Sequence, residues 1–178
     1  WIGELGVARP EALVDAVDVL VEWATAGPDE VGVDASRAVL ALAEASPSVV
    51  APHAAQLRAG FADADAAIAV RAPLAAALAL VADERDAAEP AAWLADRTPE
   101  APVEAGSALA VLARRDPGSA LPALESVLES IEREVARGGA VDGDTTMLVE
   151  RVVEPLVGSH PAAGPPVVRA LAAAVRDP

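Results

Sequence analysis

The sequence predicts an all-α fold built as a series of stacked helical hairpins. Three observations predict it. Apolar residues make up 53% of the 178-residue chain while aromatics make up only 2%, so any core must be assembled from Ala, Val and Leu. Ala and Leu are strong helix formers, and small side chains let helices approach closely. Apolar residues recur at three- and four-residue spacing, and no stretch alternates with period two over a strand's length. Finally, prolines and Gly/Pro-rich breaks cut the helical pattern into short pieces at a spacing near 40 residues.

Taken in order, Pro10 opens a pattern in which Leu13, Val14, Val17, Leu20, Val21 and Ala24 form one stripe, with Glu11, Asp15, Asp18 and Glu22 on the wet side. Gly27-Pro28 stops it. A turn through Gly32 is expected next, with Asp34 or Ser36 capping a helix over 35–45. Pro47 and Pro52 bracket the start of another helix, anchored by Leu57 and Phe61. Asp63 and Asp65 mark a turn, where either can cap a helix over 66–82, and Pro73 inside that helix should kink it. Residues 83–89 read as a charged connector. A short helix around Pro90, Trp93 and Leu94 follows, then a turn over 96–102 and a partner helix over 102–113 with Val103, Leu109 and Leu112 inward. A long helix is expected over 120–136, ended by Gly138-Gly139. Another, capped by Asp144 or Thr145, runs to Val157, and a last unpaired helix spans 166–176.

The internal comparison supports a repeat. Moving the stretch 36–61 forward by 70 residues sets Pro47 on Pro117, Pro52 on Pro122, Leu42 on Leu112 and Phe61 on Ile131. Moving it by 114 sets Leu42 on Leu156, Pro47 on Pro161 and Leu57 on Leu171. The units implied are 10–46, 47–83, 89–115, 117–158 and a half unit 161–176, one array over the whole chain. The apolar last helix implies further flanking units or a partner there, and the non-Met first residue, Trp1, implies a native N-terminus further upstream.

One unit carries a specific signature: Pro52-His53-Ala-Ala-Gln-Leu57, then Phe61-Ala-Asp63-Ala-Asp65, then Val70-Arg71, Ala75 and Ala77-Leu78. It resembles a HEAT repeat, with Pro in the first helix, Asp in the turn, and Val-Arg and Ala-Leu in the second. The resemblance implies a right-handed α-α superhelix of about four and a half HEAT-like hairpins. It also implies a structural ladder in which Asp63 and Arg71 bond within and between units, with Arg37 and Arg151 in comparable places. The third unit has no matching Arg. Such repeats specify a fold and not a chemistry.

Charge narrows the function further. The formal net charge is −15; all 13 basic residues are Arg against 28 Asp and Glu, with no Lys, Asn or Tyr. GC-rich coding favours such a composition, but it does not force acids to outnumber bases about two to one. That excess fits a halophilic, archaeal protein whose carboxylates repel one another until salt screens them. No Arg cluster exceeds Arg114-Arg115, which argues against a nucleic-acid surface. The longest apolar run is far short of a membrane span. No basic-then-apolar leader opens the chain, and a cytoplasmic protein is expected.

Candidate chemistry is sparse. There is no cysteine, which removes disulfides, thiolate metal sites and thiol nucleophiles together. His53 and His160 each sit beside a unit proline, without metal-ligand spacing, and read as helix-start surface residues. Asp142-Gly143-Asp144 lacks the third ligand, the following Gly and the distal Glu of a calcium loop. None of the serines stands in a nucleophile elbow, and no Gly-rich phosphate loop is present. No catalytic residue, metal or cofactor is therefore expected. The scarce aromatics Trp23 and Trp93 are either packing residues or anchors for a partner, since Trp is enriched at binding hot spots. The expected role is a non-catalytic scaffold holding a protein partner, favoured to be basic, on a concave face lined by second helices. The alternative is an accessory domain similar to the HEAT-like bilin lyases, acting on a cofactor-bearing protein.

Overall fold

The structure, a computed structural model, describes residues 14–27, 29–97 and 101–115. Among the described residues there are helices, turns and no strand. After a 3-10 turn at 14–16 come α1 (Val17–Ala26), α2 (Asp29–Ala45), the single turn α3 (Pro47–Val50), a 3-10 turn (Ala51–His53), α4 (Ala54–Ala62), α5 (Ile68–Val81), α6 (Glu84–Arg97) and α7 (Pro102–Arg115). The chain divides into two compact units, Trp1–Leu94 and Ala95–Pro178. The boundary falls inside α6, within the stretch 89–115 that the sequence reads as one hairpin.

In the first unit α1 pairs with α2, and α4 with α5. Across the hairpins, α1 packs on α4 and α2 on α5, while α3 touches both α2 and α5. The core is aliphatic. Leu20, Val21 and Ala24 of α1 and Val39, Leu42 and Ala43 of α2 are buried in it, with Val50, Leu57, Phe61, Leu74 and Leu78. α5 is buried round its whole circumference: every residue from Ala72 to Leu78 is shielded from solvent. Its Ala-rich sequence permits this, because Ala presents no bulk to the helices on either side. Pro73 stands inside this buried run, where its missing N–H leaves the carbonyl of Ala69 without its helical donor.

Three local expectations are corrected. Gly32 does not turn the chain. It lies inside α2, which begins at Asp29, several residues before the expected start. Gly32 is buried where α2 meets its neighbours: an added Cβ would sit 3.5 Å from Val70 and 3.6 Å from the Trp23 carbonyl oxygen. Asp34 and Ser36 are consequently mid-helix, and the buried Ser36 hydroxyl donates back to the Val33 carbonyl at 2.9 Å. Next, residues 84–89 are not a connector but the first turns of α6. The Asp83 carboxylate accepts the Asp86 amide at 3.0 Å and so caps the helix. Pro90, expected near a helix start, is buried well inside α6. Finally, neither turn aspartate caps α5. Asp63 accepts the Asp65 amide at 3.0 Å, closing an Asx turn, and Ala67 occupies the cap position.

The prolines of the second hairpin act largely as the sequence suggests. Pro47 opens α3, where its absent N–H costs nothing. Pro52 cannot donate to the carbonyl four residues back, so the chain tightens into the 3-10 turn before resuming as α4. In the second unit, α7 begins at Pro102 and buries Ala105, Ala108, Leu109 and Leu112. The helices expected beyond Arg115 lie outside the described residues.

Candidate functional site

The two tryptophans singled out by the sequence have different surroundings. Trp93 of α6 is packed against its own unit. Its ring meets Phe61 of α4 edge-on, with centroids 5.3 Å apart and planes at 82°. The Arg71 guanidinium carbon lies 4.7 Å from the Trp93 ring centroid. Arg71 Nε in turn donates to the Phe61 carbonyl at 2.9 Å. One arginine on α5 thus ties the end of α4 to α6, by a hydrogen bond on one side and a cation–π contact on the other.

A second link joins the same elements on the surface. Arg58 of α4 bonds Glu89 at 2.8 Å and approaches Asp86 at 3.5 Å, both on α6. This pair is exposed and contributes about 0–1 kcal/mol. The aromatic contact is the stronger determinant of how α6 sits on α4, since it also buries apolar area.

His53 has a role that its sequence position concealed. Its ring is largely covered, with Nδ1 2.9 Å from Gln56 Oε1 and Nε2 3.3 Å from Asp18 Oδ1. It joins the start of α4 to α1 across the two hairpins. The His-x-x-Gln spacing signals the Gln56 contact, but nothing in the sequence signals the one to Asp18. Among the described residues no group of three or more His, Asp or Glu could hold a metal ion.

Trp23 is the contrasting case. It is 40% exposed, and Val19, one turn before it on α1, is 44% exposed. Val31 on α2 is 39% exposed. Ala26 continues the α1 stripe, and the exposed Asp15, Asp18 and Glu22 run beside it. No basic residue lies between 14 and 27.

Of the residues the resemblance assigns to a ladder, Asp63 stands in the α4–α5 turn and Arg71 in the first turn of α5, each bonded to backbone, Asp63 to the Asp65 amide and Arg71 to the Phe61 carbonyl. Arg37 is exposed on α2. Arg151 and His160 lie outside the described residues. α5, one of the second helices expected to line a concave face, has no open side from Ala72 to Leu78. Among the described residues no helix is long and apolar enough to cross a membrane.

No family model, curated protein or solved structure matches this chain.

Proposed function

We propose that the chain is an array of stacked HEAT-like hairpins that serves as a non-catalytic scaffold for a protein partner, in a cell with high internal salt. The observation that carries the reading is the set of neighbours around α4. It packs on α1 and α5 and also meets α6 through Phe61–Trp93 and Arg58–Glu89. In a four-helix bundle about one axis a helix packs mainly on two neighbours. A third, supplied by the next segment of chain, is what serial stacking requires. First helices α1, α4 and α6 then succeed one another, as do second helices α2 and α5.

Serial stacking leaves extended faces open to a partner, and the exposed Trp23 and Val19 supply apolar anchors on one of them. The net charge of −15 favours a basic partner and disfavours nucleic acid. The same acid excess supports the salt-adapted reading.

The test is reconstitution. The partner is captured from the native host at molar salt, purified, and titrated against the full chain. Saturable binding with the partner's mass and absorption spectrum unchanged is expected. A partner released with an altered mass or a newly attached pigment would overturn the non-catalytic reading.

A further inference from the structure

We infer that the outer face of α1 is a docking site for a basic amphipathic segment of another protein, an inference that rests on the scaffold reading and names the contact. The face is defined by Val19, Trp23 and Ala26, which recur at helical spacing on the side of α1 turned away from the buried Leu20, Val21 and Ala24. The chain holds only three Trp and one Phe. Phe61 and Trp93 are spent on internal packing, whereas Trp23 stands 40% open to solvent with Val19 beside it at 44%. Exposed indole next to an exposed aliphatic side chain is the composition of an interface anchor.

Charge selects the occupant. Asp15, Asp18 and Glu22 line one edge of the stripe, and no basic residue stands among them along residues 14–27. Asp18 approaches His53 yet remains 88% exposed, so its carboxylate is open to a second cation. A partner helix with apolar residues on one face and Arg or Lys along its flank satisfies both rows together. A second copy of this chain does not: it would set acid against acid, on top of the repulsion between two molecules of net charge −15.

The probe is a synthetic amphipathic helix of Leu and Lys, labelled for fluorescence anisotropy and titrated with the full chain at moderate and at molar KCl. Two control peptides accompany it, one with the same residues scrambled and one with Glu in place of Lys. Saturable binding of the basic amphipathic peptide alone is expected. Trp23→Ala should weaken it about tenfold or more, as for a hot-spot truncation. Val19→Ser, and separately the pair Asp15→Asn with Glu22→Gln, should each weaken it about threefold or more, the latter mainly at moderate salt. Circular dichroism of each variant checks the fold, and Val19→Ser keeps the test decisive if Trp23→Ala unfolds. Equal binding of the scrambled peptide, or binding indifferent to both apolar substitutions, would overturn the site while leaving the scaffold reading standing. Self-association in sedimentation that Trp23→Ala abolishes would overturn it too, by making a second copy the occupant. The scaffold reading fails on a different observation, a chemically altered partner.

Discussion

The Arg71 guanidinium lies 4.7 Å from the centroid of the Trp93 ring. These residues are on α5 and α6, and Arg71 also holds the Phe61 carbonyl at the end of α4. The contact therefore couples three helices through one side chain. Trp93→Ala should destabilise the chain by about 2 kcal/mol or more, through lost packing against Phe61 and the arginine. Arg71→Ala should cost less in the Trp93→Ala background than in the wild type, with a coupling of about 0.5–2 kcal/mol. Denaturant melts of the four proteins measure it. Strict additivity would mean that Arg71 acts only through its hydrogen bond to Phe61.

The glycines make a graded prediction. A Cβ on Gly60 would lie 2.7 Å from Thr25 Cγ2 and 2.9 Å from Leu74 Cδ1. Thr25 cannot turn aside freely, because its hydroxyl donates to the Val21 carbonyl at 2.8 Å. Gly60→Ala should thus cost about 1–3 kcal/mol despite the better helix propensity of Ala. Gly32→Ala meets only ordinary van der Waals distances and should be neutral or stabilise by up to about 1 kcal/mol. Thermal melts that rank the two the other way round would contradict the helix crossing described.

Gly27 is costly for another reason. It follows α1 in extended backbone, and a Cβ there falls onto the Trp23 carbonyl oxygen. The colliding atom is backbone and cannot rotate away. Gly27→Ala should lower stability by about 1–3 kcal/mol and loosen the α1–α2 turn. Amide exchange should show the change first around residues 23–32.

Asp83 sets the start of α6. Removing its carboxylate with Asp83→Ala should cost about 1 kcal/mol, while Asp83→Asn, which can still accept the Asp86 amide, should cost much less. Equal losses in the two variants, by urea titration, would assign the effect to charge rather than to capping.

The acid excess yields a prediction independent of any one contact. Thermal stability should rise steeply between dilute buffer and molar KCl as repulsion among carboxylates is screened. A melting temperature unchanged over that range would remove the salt-adapted reading.

Composition and periodicity determined by themselves that this chain forms helices, because propensity and a 3.6-residue stripe are local properties. They also placed the prolines that start α3 and α7, and the inward residues Leu57, Phe61, Leu109 and Leu112. They misplaced the starts of α2 and α6, since Gly32 and the charged run 83–89 look like breaks until the neighbours are known. A buried crossing tolerates glycine, and a capped amphipathic turn tolerates charge. Only tertiary structure decided that Trp93 is held by Phe61 and Arg71 while Trp23 stays open, and that His53 reaches Asp18. Those outcomes depend on residues 22 to 35 positions apart that come together only when hairpins pack, and no spacing along the chain encodes which face of a helix its neighbour will cover.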